Sequence, residues 1–547
     1  MGYILQNLPF FLILIGPLVF FHELGHFAVA KWCGVRVLKF SLGFGPRLVG
    51  FTRGTTEYVL AAIPLGGFVK MWGEDPTADI APEERADSFS HQPLWKRAAI
   101  VAAGPAANML LAVLLYSSFY LGAQQEGAAK LGLVMAGERA AEAGLLAGDE
   151  VAAIDGQPIH YWSELQQAIA SAKDTLTLTV KRDEQVRQVR IVPKLVDDVD
   201  ELGQPAVHGK IGISLSFLAP LVDVPEPDSP AARAGVQTGD EIVAVGGVET
   251  QSWAQVIQRL GSAQGEVQLS IKRGEEAPRP VTLQLAKLDK VLPDAQLRPD
   301  PPGTFSGLVS YDARVAKVVG GSPAEKAGLT VGDRLLSING RKITAWRLDL
   351  ATMNGTDARK PMEIEYSRGA EMRHVTVSLD IESGKDELKQ PVTRYVFGAE
   401  NDPRSMRTSL IERRYTPFEA LSEGAKKTWQ ISSLTGRGIG LMITGHISVA
   451  NVGGPGMLFV LAEKSATRGF AAFIAMMAII SINLGLMNLM PVPVLDGGHL
   501  VFFTIEALSR RPVPMRYREY ATMVGLVLLF MLMALAFRND FVNFVMG

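Results

Sequence analysis

Apolar residues crowd the two ends of the chain and thin out between them. Four runs, at about 4–32, 97–121, 470–490 and 519–537, are long and apolar enough to predict membrane-spanning helices. Residues 124–415 carry charges throughout, which predicts a folded polar region between the second and third spans. Inside it one pattern occurs three times: Arg139-Ala-Ala-Glu-Ala-Gly-Leu-Leu-Ala-Gly-Asp149, Pro230-Ala-Ala-Arg-Ala-Gly-Val-Gln-Thr-Gly-Asp240 and Pro323-Ala-Glu-Lys-Ala-Gly-Leu-Thr-Val-Gly-Asp333. Each copy reads as a short helix ending at a glycine, a tight turn, and a Gly-Asp pair entering an apolar strand. A second turn follows at Asp155-Gly156, Gly246-Gly247 and Asn339-Gly340. The repeat length, roughly ninety residues, suits one small α+β domain per copy.

After the first span, Val35–Phe40 and Glu57–Ala62 read as short strands. They are joined through Ser41-Leu42-Gly43-Phe44-Gly45-Pro46 and followed by Ile63-Pro64-Leu65-Gly66-Gly67-Phe68-Val69. Apolar strands with glycine turns beside a membrane span fit a hairpin dipping back into the bilayer, and they also fit a plain cytoplasmic hairpin. From about Tyr415 to Ser465 the chain is amphipathic and glycine-punctuated, which predicts a helix lying on the outer membrane surface. The expected organisation is an N-terminal membrane region 1–123, repeats at 124–221, 222–308 and 309–400, a membrane-surface region 401–468 and a C-terminal membrane region 469–547.

Charge adds orientation. The loop between the first two spans carries Arg36, Lys39, Arg47 and Arg97, and that between the last two carries Arg510, Arg511, Arg516 and Arg518. The positive-inside rule then places both loops in the cytoplasm, and both termini and the repeats outside. The N-terminus lacks a basic n-region, so the first run is expected to be kept as a span rather than removed as a signal. A formal net charge of −2, with no basic cluster interleaved with aromatics, argues against nucleic acid as a partner. The lone Cys33 excludes an internal disulfide and a thiolate zinc site.

The candidate chemistry sits in the apolar ends. His22, Glu23 and His26 form an H-E-x-x-H string within the first span, where polar side chains are costly and need a partner or a task. Four residues apart on a helix, the two imidazoles share a face and can grip one Zn²⁺, with Glu23 beside them as a proton acceptor that is not a ligand. The third span ends in Asn488-Leu489-Met490-Pro491-Val492-Pro493-Val494-Leu495-Asp496-Gly497-Gly498-His499. Two prolines break the helix, so Asp496 is expected on an extended segment turning back toward the membrane interior, within reach as a third ligand. His499 is a rival ligand. Asn488 fits either a substrate carbonyl or a helix–helix hydrogen bond. Three functions remain open on these residues: an intramembrane zinc peptidase, a membrane scaffold with a structural metal, and a metal transporter.

The A-G-(L/V)-x-x-G-D pattern resembles PDZ domains of the bacterial, circularly permuted kind, which bind extended peptide at a sheet edge. Together, the H-E-x-x-H string, Gly43-Phe44-Gly45-Pro46, Pro64-Leu65-Gly66-Gly67, Gly104-Pro105-Ala106-Ala107-Asn108, the repeats and N-x-x-P-x-P-x-x-D-G-G resemble the site-2 protease family of intramembrane zinc metalloproteases. Within it the resemblance is greatest to the RseP-like bacterial regulators of sigma-E, and it extends over nearly the whole chain. It implies a polytopic α-helical membrane protein of about four transmembrane helices, with a re-entrant β-hairpin and three tandem PDZ-like domains, in the bacterial inner membrane. It further implies Zn²⁺ held by His22, His26 and Asp496, Glu23 as general base, and single-pass membrane proteins, often an anti-sigma factor, as substrates. Gly43, Phe44 and Gly45 would hold the unwound substrate, with Asn488, Pro491 and Pro493 in support. Such proteins usually carry one or two PDZ modules, so the third copy is a departure.

Overall fold

The computed structural model describes residues 2–542 apart from 75–79, 136, 183–184, 289–291, 293, 344, 347–359, 370 and 386–390. Side chains of residues 2–7, 64–65, 383–394 and 451 also lie outside the described set, so the predicted Pro64-Leu65 segment is seen only as backbone. The chain divides into two compact units, one made of residues up to 124 with those from 413 onward, the other of 125–386 with 391–412.

The first unit is mostly helical, with one β-hairpin. Four of its helices are long and apolar enough to cross a membrane: α1 (Gly2–Trp32, the span described from Leu8), α2 (Leu94–Tyr120), α5 (Phe470–Asn488) and α7 (Met515–Phe541). They match the four predicted runs. Three shorter or more polar helices complete the unit: α3 (Pro417–Ile443), α4 (Pro455–Thr467) and α6 (Asp496–Ser509). The core joins α1, α2, α4 and α5 through Leu14, Leu18, Leu111, Ala462, Phe473 and Met477. Met523, Val524, Val527, Phe530 and Met531 on α7 are exposed, an apolar surface that lipid would cover.

Two expectations change here. The amphipathic stretch does contain a helix, α3, which begins at Pro417 behind a Thr416–Glu419 capping box. It packs lengthwise on α2 instead of lying apart on a surface. Small residues allow the approach: a Cβ at Gly424 would meet the Val113 carbonyl and the backbone of Ser117. Further along, Ser432 reaches Met109, and Thr435 donates to Asn483 on α5 at 3.3 Å. Residues 401–412, expected with this region, belong to the other unit.

The hairpin after α1 is longer and more folded than two short strands. β1 (Val37–Arg53) and β2 (Thr56–Met71) pair along their whole length with repeated register shifts. Residues 39–42 have partners on both sides, 57–60 on one and 67–70 on the other. The predicted connector Ser41–Pro46 is therefore itself strand, bent where Gly43 and Gly45 adopt φ of 89° and 87°. Phe44, Leu48, Val49 and Phe51 are exposed.

The second unit contains three four-stranded antiparallel sheets of one topology, built from strands at 150–191, 241–284 and 334–377. In each, the short helix and Gly-Asp turn of the repeat precede the first strand. Each aspartate is buried and receives a two-pronged arginine from the end of the third strand in sequence: Arg182 on Asp149 (2.5 and 2.6 Å), Arg273 on Asp240 (2.8 and 2.8 Å), Arg368 on Asp333 (2.7 and 2.7 Å). The same guanidinium donates to the carbonyl of the helix-ending glycine, Gly144, Gly235 or Gly328. The aspartate also accepts from the backbone N–H three residues earlier, at Leu146, Gln237 and Thr330. This shared lock puts the first copy in the same register as the other two.

Candidate active site

The site is built on α2, against which α1, α5 and α6 all pack. α1 is a mostly apolar helix that carries the H-E-x-x-H string, and its His22, Glu23 and His26 are buried. Contact with α2 requires glycine on both sides. A Cβ at Gly25 would meet the Ala107 Cβ at 2.7 Å, and one at Gly104 would lie 2.8 Å from the His22 ring and closer still to that of His26. The Gly104-Pro105-Ala106-Ala107-Asn108 segment is thus the floor on which both imidazoles rest.

His26 donates its Nδ1–H to the carbonyl of Ile100 at 2.8 Å, and because a carbonyl only accepts, the lone pair of Nε2 is left facing the site. His22 presents its Nε2 3.3 Å from that of His26. The Nδ1 of His22 lies 3.2 Å from the side-chain amide of Asn108.

Asp496 arrives from the far end of the chain. α5 stops at Asn488, and the Pro491/Pro493 break leads into α6, of which Asp496 is the first residue. This corrects the expected extended segment. The reason lies in Gly497 and Gly498: a Cβ on the first would strike the carbonyls of Leu489 and Met490, and one on the second the backbone of Val492 and Pro493. Without side chains, the new helix folds over the end of α5 and returns Asp496 to the site. α6 is secured to α2 by Arg97, which grips Glu506 at 2.6 and 3.3 Å and lies over the Phe503 ring at 5.1 Å.

Asp496 Oδ2 is 3.3 Å from His22 Nε2 and 3.5 Å from His26 Nε2. A tetrahedral ion bound at about 2.0–2.2 Å would set its donors about 3.3–3.6 Å apart. The three separations, 3.3, 3.3 and 3.5 Å, therefore suit one small divalent ion in donor type and in spacing. These three are the only such group of His, Cys, Asp and Glu among the described residues. His499 is not among the converging donors.

The remaining predicted residues divide. The Asn488 amide nitrogen lies 3.3 Å from His22 Nε2, at the donor cluster. Gly67 of β2 rests on Glu23, since a Cβ there would stand 2.8 Å from the Glu23 Cγ. Gly67 pairs with Leu42, which brings Gly43 to the hairpin segment beside Glu23. Phe44 stacks on Phe68 with ring centroids 6.2 Å apart. Pro493 packs under α7, where a Cβ at Gly525 would meet it at 3.1 Å, whereas Pro491 is exposed. Sequence reasoning gave no role to Ile100 or Glu506, counted Arg97 only toward orientation, and used Gly104 and Asn108 only as parts of a motif. The signal available was an asparagine four residues after a glycine inside an apolar span.

The model of Peptidase family M50 matches residues 10–532. A regulator of sigma-E protease, RseP, from Salmonella typhimurium is 32% identical over 548 residues, spanning 98% of this chain and 99% of the relative. A Neisseria meningitidis protein named as a zinc metalloprotease is 31% identical over 553 residues, covering 98% and 99%. Among solved structures, the PDZ domain of an SdrC-like protein from Listeria monocytogenes shares 28% identity over 17% of this chain and 87% of its own, with a TM-score of 0.13. On the extent of the family match and of the curated relatives, this chain belongs to peptidase family M50, the site-2 proteases, and is a zinc metalloprotease.

Proposed function

We propose that the chain is an intramembrane peptidase whose Zn²⁺ is held by His22, His26 and Asp496, and that it cuts the membrane segments of single-pass proteins. The observation that carries this reading is the trio of donor separations, which equal the edges of a zinc tetrahedron although one donor lies more than four hundred residues from the others in sequence. A bound zinc ion supplies Lewis acidity and a water acidified toward neutral pH. Glu23 takes the proton of the attacking water and returns it to the leaving amine. Asn488, at the donor cluster, orients the scissile carbonyl. The bent strand at Gly43, Phe44 and Gly45 pairs with the unwound substrate backbone, and Pro491 and Pro493 hold the α5–α6 turn beneath it.

The same reading takes β1 and β2 as a re-entrant hairpin and the three sheets, at 124–221, 222–308 and 309–400, as PDZ-like domains. The shared lock of aspartate, arginine and glycine carbonyl supports the count of three. The protein would lie in the bacterial inner membrane, with both termini and the repeats in the periplasm and the site toward the cytoplasm. Relatives named for sigma-E regulation support an anti-sigma factor as substrate; on this reading the substrate is already trimmed outside, and the PDZ array excludes untrimmed ectodomains. Removing 124–400 should then let untrimmed substrate be cut. Continued refusal of untrimmed substrate, with trimmed substrate still cleaved, would refute the filter.

Glu23→Gln tests the chemistry. Cleavage of a model single-pass substrate in vesicles should stop while bound zinc is unchanged. A PDZ scaffold with a structural metal would lose little by this substitution, and a transporter would carry zinc into sealed liposomes.

A further inference from the structure

Asn108 is fully buried on α2 and held in place from two sides. Its backbone carbonyl accepts the Ser481 hydroxyl of α5 at 2.8 Å, and a Cβ at Gly485 would touch its side chain at 3.5 Å. Its amide nitrogen is 3.2 Å from His22 Nδ1, and its Oδ1 is buried with no hydrogen-bond partner among the described residues. A buried carbonyl oxygen without a partner costs about 1–3 kcal/mol, so a fully enclosed one calls for an explanation.

The ion site supplies it. With the amide nitrogen donating to Nδ1, the proton of His22 sits on Nε2, 3.3 Å from Asp496 Oδ2 and 3.3 Å from the Asn488 amide nitrogen, a donor that this tautomer leaves without an acceptor there. Coordination through Nε2 requires the other tautomer, with the proton on Nδ1 and an acceptor waiting for it. An asparagine amide presents an oxygen and a nitrogen of nearly equal size, so turning it over replaces donor by acceptor without moving α2. The unpartnered Oδ1 then gains the Nδ1–H, and the amide nitrogen takes the place that the oxygen leaves.

We propose that Asn108 is the positioning residue for His22: its Oδ1 accepts the His22 Nδ1–H in the zinc-loaded protein, the part the Ile100 carbonyl plays for His26. The ring-on-acceptor pattern is ordinary for metal histidines. Here one acceptor is backbone and fixed, while the other is an amide able to serve both tautomers. The first imidazole is therefore preset for the ion, and the second is set when the ion arrives.

This rests on the His22–His26–Asp496 reading, and the test separates the two. Zinc affinity of the purified full chain in detergent is measured by chelator competition. If wild type holds no zinc, or Asp496→Ala holds it equally well, the ion site itself is wrong. Given a wild-type site lost in Asp496→Ala, Asn108→Leu should bind zinc about 10–100-fold more weakly. Asn108→Asp, which keeps an acceptor, should stay within about threefold of wild type or bind more tightly. Cobalt-loaded Asn108→Leu should show shifted visible bands. Equal zinc affinity in Asn108→Leu and wild type, or an equal loss in the Asp and Leu variants, overturns the proposal. Should the Leu variant not fold, nitrogen-labelled histidine in the zinc-loaded Asp variant decides. The His22 Nδ1 proton signal should move downfield with that of His26 unchanged, and an unmoved His22 signal overturns the proposal.

Discussion

The repeat unit and the membrane unit solve opposite problems. In the repeats, each buried aspartate meets its arginine within a single sheet: 149 with 182, 240 with 273, 333 with 368. The lock is local and made three times, so a fault in one copy does not remove the lock of another. In the membrane unit, the site exists once. It needs residues 22 and 26 from one helix, 100, 104 and 108 from a second, 488 from a third and 496 from a fourth. Local redundancy tolerates loss, whereas a single long-range convergence does not.

The sharpest break is expected from the ligands. His26→Ala and Asp496→Ala should each take bound zinc from about one per chain to near zero and abolish cleavage, as metal analysis and a peptidase assay would show. The repeats should keep their resistance to limited proteolysis. Next comes Glu23→Gln, with hydrolysis reduced by about 10²–10⁴-fold and zinc content unchanged. An equal loss of zinc would make Glu23 a ligand.

On the repeat side, Arg273→Met leaves Asp240 buried beside only backbone donors. The cost should be about 3 kcal/mol to the second sheet, read as protease susceptibility confined to 222–308, with zinc and trimmed-substrate cleavage retained. Loss of zinc in this variant would mean that the two regions are coupled. Gly67→Ala comes lower, since its Cβ would meet Glu23 Cγ and the Ser41 carbonyl, both at 2.8 Å. A penalty of about 1–3 kcal/mol is expected, with turnover falling more than zinc affinity. The smallest effect should come from Lys317→Met, which breaks an exposed pair with Glu400 and should shift stability by well under about 1 kcal/mol in thermal unfolding.

Much of this was legible along the chain because the signal was local. Four apolar runs became the four long apolar helices, since length and hydropathy alone decide whether a segment can cross lipid. His22, Glu23 and His26 fell together because helical periodicity puts positions four apart on one face. The Gly-Asp repeats showed their turns, although not the arginines, which follow the turn by about one sheet and carry no turn signature of their own.

The sequence by itself settled which residues could ligate, where membrane helices run and that one module recurs. Tertiary structure decided which of the polar residues meet. It folded the expected glycine connector into strand, turned Asp496 from a stretched segment into a helix start, and laid the amphipathic helix along α2. It also made α2 the frame, through a carbonyl at Ile100, a gap at Gly104 and an amide at Asn108. A backbone carbonyl carries no side-chain identity, and a glycine's lack of a Cβ matters only once a neighbour occupies the space. Those parts of the site are properties of packing, and they come into being only when the helices close.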